Sequence, residues 1–186
     1  MRVASSTMGQ PRKDGRKRLA VMAVALTVAT ASGCGNVGGD RPLDSVTVTS
    51  SQFRDGAPLP REYACGGGGN PPLRWSNIPS TAKSIALVVD ASSPRGSTVH
   101  WVVFNIDFRT TVLIENGVPQ GARQGRVTSG KVGYDPPCRN GDSYRFSVYA
   151  LDARLDLKEG ASLTETLPAI ANHTIARGRI TATDIE

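Results

Sequence analysis

The chain has 186 residues, of which 22 are Lys or Arg and 16 are Asp or Glu, for a net charge of +6. Residues 1–33 contain six of the basic residues and one of the acidic residues, which leaves 16 basic and 15 acidic residues in the rest of the chain. A segment this close to neutral predicts no extended basic patch of the kind on which nucleic-acid-binding proteins depend, and we expect no nucleic-acid partner.

The N-terminal segment has the order of an export signal. Its basic residues precede residues 19–31, an uncharged apolar stretch of 13 residues, which suits a signal peptide and is too short to span a bilayer. Ala31, Ser32 and Gly33 then place small residues directly before Cys34, as in a lipobox, although Leu is more usual where Ala31 stands. We therefore predict that residues 1–33 are a lipoprotein signal peptide, and the alternative is an ordinary cleaved secretory signal.

This prediction sets the domain organisation and the location. Cys34 becomes the acylated (palmitate-type) N-terminus, and the protein lies outside the cytoplasm, anchored by lipid to a membrane of the cell envelope. The signal is intact whether translation begins at Met1 or at Met8. Residues 34–44 are rich in Gly and polar residues and predict a flexible tether. Residues 45–186 are long enough for one domain with a hydrophobic core.

Short apolar runs between turn residues predict β-strands through most of this domain. The run 84–90 is apolar and β-branched, the run 100–106 is apolar on both faces as in a central strand, and residues 144–150 alternate with strand period. Further strands are predicted at 46–49, 111–114 and 178–185.

One helix is predicted near the C-terminus. Ser162 and Glu165 have capping-box spacing, and apolar residues then recur at helical spacing as far as Ala171. Pro168 lies inside this stretch and should kink or split the helix. Many short strands with one late helix predict a mainly β fold, an antiparallel β-sandwich or barrel.

Catalytic and metal-binding motifs are weak. Residues 125–132 approach a phosphate-binding P-loop, but Val132 stands where the motif needs Ser or Thr, and there is no GxSxG motif. Cys65 and Cys138 remain as an even pair, which is typical of an exported, oxidised protein. A metal or nucleophilic site at this pair is the alternative, but neither Cys lies in a CxxC motif and the chain has two His. We expect no metal, no cofactor and no enzymatic activity.

Polar residues at strand ends predict a small pocket. Asp90 ends one apolar strand and His100 opens the next, so a hairpin would bring both to one end of the sheet, near Tyr144 and the Gly/Pro-containing loop 135–142. The alternative is a capping aspartate and a half-buried histidine with no ligand.

The chain resembles the phosphatidylethanolamine-binding protein family, in its bacterial Raf-kinase-inhibitor-like branch. Ten segments carry the resemblance through their order and spacing. They are residues 51–56, Pro60, 63–65, 70–75, 83–90, 99–106, 133–134, 137–138, 144–152 and 172–176. The resemblance implies an antiparallel β-sandwich of this type with a short C-terminal helix and a small pocket for phosphate-like groups at one end.

Carried over residue by residue, the resemblance assigns the pocket to Asp90, His100, Pro137 and Tyr144. It also brings Cys65 and Cys138 to the same end of the sandwich, which implies a disulfide between them.

The chain departs from the family pattern at several of the pocket positions. Ser92 stands where a second aspartate is expected, and Asp142 or Ser143 stands where a second histidine is expected. Arg139 and Asn140 stand where prolines are expected. We expect Arg139 to supply a lost donor, since a guanidinium pairs well with phosphate oxygens. We also expect Asp90 to orient the His100 imidazole and to favour its protonated form, and Tyr144 to donate its hydroxyl proton to the anion.

The resemblance implies a non-catalytic protein that binds a small anionic or phosphorylated ligand, such as a phospholipid head group, or a protein partner. A second hypothesis is an inhibitor of a kinase or, given the predicted location, of an envelope protease. A third is a hydrolase that uses His100 and Asp90, which lacks an evident nucleophile beside the base.

Overall fold

The computed structural model describes residues 44–94 and 96–186. The predicted signal peptide, Cys34 and nearly all of the predicted tether lie outside the described residues. Within the described ranges, no helix combines the length and the apolar character that crossing a membrane requires.

Six strands form the larger sheet, in the order β1-β9-β8-β4-β5-β7. Every neighbouring pair in it is antiparallel except β1 and β9, which run parallel. The strands are β1 (Asp44–Ser45), β4 (Ser84–Ser93), β5 (Gly96–Ile106), β7 (Arg123–Gln124), β8 (Ser143–Leu151) and β9 (Thr174–Thr183). The apolar runs of β4 and β5 are buried almost throughout, as expected for central strands.

The smaller sheet has three strands in the order β2-β3-β6, and it packs on the larger sheet. They are β2 (Thr47–Thr49), β3 (Leu73–Ser76) and β6 (Val112–Leu113). Trp75 of β3 and Leu113 of β6 share one buried cluster with Leu87 of β4 and Phe146 of β8, so the main core lies between the two sheets. The predicted mainly β, antiparallel β-sandwich is confirmed.

Among the described residues there is one α-helix, α1 (Leu163–His173), and it packs on the other face of the larger sheet. Ile170 of α1 joins Val102 and Phe104 of β5 and Leu151 of β8 in a second buried cluster. At its N-terminus, the Glu165 carboxylate accepts a hydrogen bond from the Ser162 backbone N–H at 2.9 Å, as the capping-box spacing predicts.

Several predicted boundaries were wrong. Pro168 does not split α1, which continues through it to His173. Strand β9 begins directly at the end of α1 rather than at Gly178, and the apolar alternation of 144–150 extends one residue further at each end as β8. Strands β1, β3 and β7 had not been predicted, because runs of two to four residues carry too little periodicity to stand out.

A β-bulge in the β4–β5 hairpin positions the candidate site. Val89 lies opposite Trp101, whereas the next residue, Asp90, lies opposite Val99, so His100 is the extra residue on β5. As a result, Trp101 faces the core between the sheets while Val99 faces the cluster beneath α1. A bulge bends the strand and redirects the side chain at that point, here the imidazole of His100.

Candidate functional site

His100 is half-buried and is held by the loop that begins at Asp135. The His100 Nδ1 atom lies 3.0 Å from the Asp135 carbonyl oxygen, and the Asp135 N–H donates to the His100 carbonyl at 2.8 Å. A carbonyl only accepts, so Nδ1 carries the proton. The neutral ring therefore presents Nε2 as an acceptor, and among the described residues Nε2 has no hydrogen-bond partner.

Burial lowers the pKa of His100 below its ordinary value of 6.5. The bond to the Asp135 carbonyl and the charges of Asp135, Asp90 and Asp142 oppose this effect but do not outweigh it. Asp90 therefore favours the protonated form of His100, as expected, but burial outweighs it and leaves the ring mainly neutral at pH 7.

Asp90 makes a different contact from the one predicted. Its carboxylate accepts from Arg145 Nε at 3.0 Å and also from Arg145 Nη2, and the two residues lie directly opposite each other on β4 and β8. The expectation that Asp90 orients His100 was wrong, since the Asp135 carbonyl does so. Arg145 was missed because its pairing depends on the register of two strands far apart in sequence.

Tyr144 is fully buried at the start of β8 and holds the middle of the loop 135–142. Its hydroxyl donates to the Arg139 carbonyl and accepts from the Arg139 N–H at 3.1 Å. The ring meets His100 edge to face, with centroids 5.8 Å apart. Burial raises the pKa of Tyr144. The hydroxyl proton that we expected Tyr144 to donate to an anion is thus used on the protein backbone.

The loop 135–142 is fixed at three further points. Cys65 and Cys138 form a disulfide, as the resemblance implied, with Cα atoms 4.7 Å apart. The Cys65 N–H donates to the carbonyl of buried Pro137 at 2.8 Å. Near the other end, the Gly141 N–H donates to Asp184 Oδ1 at 2.9 Å. A loop held this closely has little conformational freedom left to lose on binding.

An open cleft of about 450 Å³ lies against the outer side of this loop. It is lined by Ser93, Pro94, Arg139, Asn140, Gly141 and Asp142. His100 does not belong to this lining and lies deeper, against Tyr144. Of the predicted binding residues, the structure places Arg139 in the cleft, His100, Pro137 and Tyr144 behind or within the loop, and Asp90 on the sheet, paired with Arg145.

The cleft brings together charges of both signs. Arg139 supplies a guanidinium and Asp142 a carboxylate, and no ion pair between them is found in the part of the chain that the structure describes. Residues 44–94 and 96–186 contain no group of three or more His, Cys, Asp or Glu side chains arranged to hold a metal ion.

The chain is similar in sequence to proteins from archaea and bacteria. The chain is 39% identical over 144 residues to UPF0098 protein of Methanothermobacter thermautotrophicus, covering 73% of this chain and 95% of that one. It is 32% identical to LppC of Mycobacterium tuberculosis, named as a candidate lipoprotein, covering 90% of this chain and 96% of that one.

Two solved structures have the same fold. A phosphatidylethanolamine-binding protein homolog of Chlamydia trachomatis aligns with a TM-score of 0.70 and 35% identity, covering 77% of this chain and 99% of that one. The protein YbcL of Escherichia coli, described as a member of the mammalian PEBP family, aligns with a TM-score of 0.69 and 28% identity. The alignment covers 76% of this chain and 99% of that one. The phosphatidylethanolamine-binding protein profile matches residues 49–185. The chain therefore belongs to the phosphatidylethanolamine-binding protein family.

Proposed function

We propose that this protein is a non-catalytic, lipid-anchored envelope protein that binds a small phosphate-bearing ligand in the cleft beside the loop 135–142. The observation that carries the proposal is the cleft itself, in which Arg139 and Asp142 line one opening on a loop fixed by a disulfide, a tyrosine hydroxyl and an aspartate. A rigid loop lowers the entropy cost of binding a small ligand.

The two charges suit a zwitterionic head group such as phosphoethanolamine. The Arg139 guanidinium is a donor for phosphate oxygens, and the Asp142 carboxylate is an acceptor for an ammonium group. Inorganic phosphate would use Arg139 alone and would be repelled by Asp142. The ligand class that fits this pair of charges best is therefore a phosphate monoester or diester that also carries an amine.

His100 lies outside the cleft lining, so it would act on such a ligand only through its charge. A bound phosphate nearby favours the protonated imidazole, whereas burial without ligand disfavours it. Binding should then strengthen as the pH falls through the lowered pKa of His100, below 6.5.

A binding role is favoured over hydrolysis because the surroundings of His100 offer no activated nucleophile. In the described part of the chain, its imidazole contacts the Asp135 carbonyl and the ring of Tyr144. The Tyr144 hydroxyl is engaged by Arg139, and its pKa is raised by burial, which makes it a poor nucleophile near neutral pH.

Calorimetric titration with phosphoethanolamine and with inorganic phosphate tests the proposal. Arg139→Gln should weaken phosphoethanolamine binding by about tenfold or more, since a charge-assisted hydrogen bond contributes on the order of 1.5–3 kcal/mol. Asp142→Asn should weaken phosphoethanolamine but strengthen phosphate, and His100→Ala should remove the pH dependence below 6.5. The exposed Arg109, which lies in the turn before β6, gives the matched control Arg109→Gln. Equal binding by Arg139→Gln and the unchanged protein would overturn the proposal.

The lipid anchor is tested separately. The family relative named as a candidate lipoprotein, together with the small residues before Cys34, supports acylation at this position. Mass spectrometry of the N-terminal peptide from the membrane fraction should show a diacylated or triacylated Cys34, and Cys34→Ser should release the chain from the membrane. An unmodified N-terminus elsewhere in the chain would contradict the anchor.

A further inference from the structure

Beside α1, the outer face of the larger sheet carries a row of polar and cationic side chains. Arg177 and Arg179 of β9 are exposed, and they lie directly opposite Tyr149 and Ser147 of β8. Directly opposed residues of an antiparallel pair point to the same face, and these four side chains together line a cleft of about 250 Å³.

The intervening residues of both strands point to the opposite face. Phe146 and Val148 of β8 and Ile180 of β9 belong to the core between the sheets. Since side chains alternate along a strand, the arginines must lie on the opposite, outer face.

Arg177 and Arg179 make this part of the face positive, and further along β9 the Thr181 N–H donates to the Asp55 carboxylate at 2.8 Å. Arg145 lies further along the same face and is neutralised by Asp90. Among the described residues, neither Arg177 nor Arg179 has a carboxylate within ion-pairing distance. This patch contrasts with the near-neutral balance of residues 34–186, which contain 16 basic and 15 acidic residues.

The chain leaves the domain beside these arginines. Ser45 of β1 is the register partner of Arg177, and the Val46 N–H donates to the Arg177 carbonyl at 3.0 Å. Cys34 precedes Asp44 by ten residues. If the predicted tether is unstructured, ten residues would span about 16–19 Å on average, whereas a folded domain of this size is roughly 35–40 Å across. The proposed lipid anchor would therefore hold the edge with Arg177 closer to the bilayer than most of the domain.

We propose that the face formed by Arg177 and Arg179 docks on anionic phospholipid head groups of the membrane that carries the anchor. The proposal rests on the lipid anchor of the proposed function, and not on the ligand cleft. Each arginine should strengthen the docking equilibrium about fivefold, as basic residues near an anionic surface do. The anchor makes this weak attraction effective, because the lipid surface is present at a high local concentration.

Docking on this face would also place the ligand cleft near the head groups. Strand β9 runs on from Arg179 toward Asp184, which holds Gly141 at the cleft. Five residues of extended chain span roughly 17 Å. A cleft within that distance of the docked Arg179 would be able to sample head groups or their soluble derivatives.

The experiment uses the mature acylated protein reconstituted in vesicles of phosphatidylcholine, with or without phosphatidylglycerol. Both vesicle types contain a trace of dansyl-labelled lipid, and energy transfer from the protein's two tryptophans reports how close the domain lies to the bilayer. The variant is Arg177→Gln/Arg179→Gln. The matched control is Arg74→Gln/Arg109→Gln, which removes two exposed arginines on or next to the three-stranded sheet.

Energy transfer should be higher with phosphatidylglycerol than without it, and high salt should abolish the difference. The Arg177/Arg179 variant should lose the increase, with a docking equilibrium about 25-fold weaker, while the control pair should retain it. Flotation of the vesicles in a density gradient tests attachment separately. If the unchanged protein floats with both vesicle types but gives equal energy transfer, docking is overturned and the anchor stands. If it fails to float with phosphatidylcholine vesicles, the anchor is overturned and docking with it.

Discussion

At the residue scale, the properties of His100 come from its place in a bulge rather than from its neighbours in sequence. The bulge between Val89 and Asp90 turns the imidazole toward Asp135 and Tyr144, where it is half-buried. Three aspartates raise its pKa, yet desolvation prevails and the ring is neutral at pH 7. The charge state of this residue is therefore set by burial.

This burial predicts a specific pH dependence of stability. The unfolded chain binds a proton at His100 near pH 6.5, whereas the folded chain does so only at lower pH. The free energy of unfolding should fall as the pH drops from 6.5 toward the folded pKa, and no loss from this residue should occur above 6.5.

His100→Asn keeps a donor near the Asp135 carbonyl and cannot titrate. Urea unfolding of both proteins at about pH 7.5 and about pH 5 should show a smaller loss in the variant, by at most about 1.4 kcal/mol per pH unit. An identical loss in both proteins would show that His100 titrates equally in the folded and unfolded states.

At the element scale, the loop 135–142 is organised by contacts from four separate parts of the chain. His100 of β5 holds its start, Cys65 and Tyr144 hold its middle, and Asp184 holds Gly141 near its end. The loop is not part of a β-strand and lacks the regular hydrogen bonds between strands, so these contacts fix its backbone instead.

Tyr144→Phe should loosen this loop without disturbing the sheet. The change removes the hydroxyl that bonds both backbone groups of Arg139 while the buried ring remains. We expect the free energy of unfolding to fall by about 1 kcal/mol. Hydrogen exchange at Arg139 and its neighbours in the loop should rise several-fold, while the amides of β4 keep their protection. Tyr149→Phe on the same strand is the control, and equal exchange in the two variants would contradict the role given to Tyr144.

At the scale of the whole molecule, the disulfide connects the beginning of the domain to the loop of the candidate site. Cys65 and Cys138 are separated by 73 residues, and both are exposed. Between them in sequence lie β3 to β7, so the bond restrains much of the sandwich in the unfolded state.

Replacing both cysteines by Ser should lower the free energy of unfolding by about 4 kcal/mol in the chain-entropy model. Cys34→Ser, which leaves the pair intact, is the control and should unfold like the unchanged domain. Urea denaturation of the three proteins measures the difference. A change below about 1 kcal/mol would mean that the unfolded chain gains little freedom when the bond is removed.

The sequence by itself determined the long elements and the architecture. The runs in β4 and β5 are apolar, β8 alternates, and the Ser162–Glu165 spacing marks the start of α1, because burial imposes these patterns residue by residue. The order and spacing of its motifs also indicated the family and the residues of one end of the sandwich.

Only the tertiary structure decided how those residues are used. Pairing of Asp90 with Arg145 requires the register of β4 against β8, and the neutral state of His100 requires both the bulge and the burial that follows from it. The arginine face on β9 depends in the same way on which residues lie opposite β8 and β1. Local patterns set which residues are buried, but contacts and protonation depend on distances between segments far apart in the chain, which no local pattern encodes.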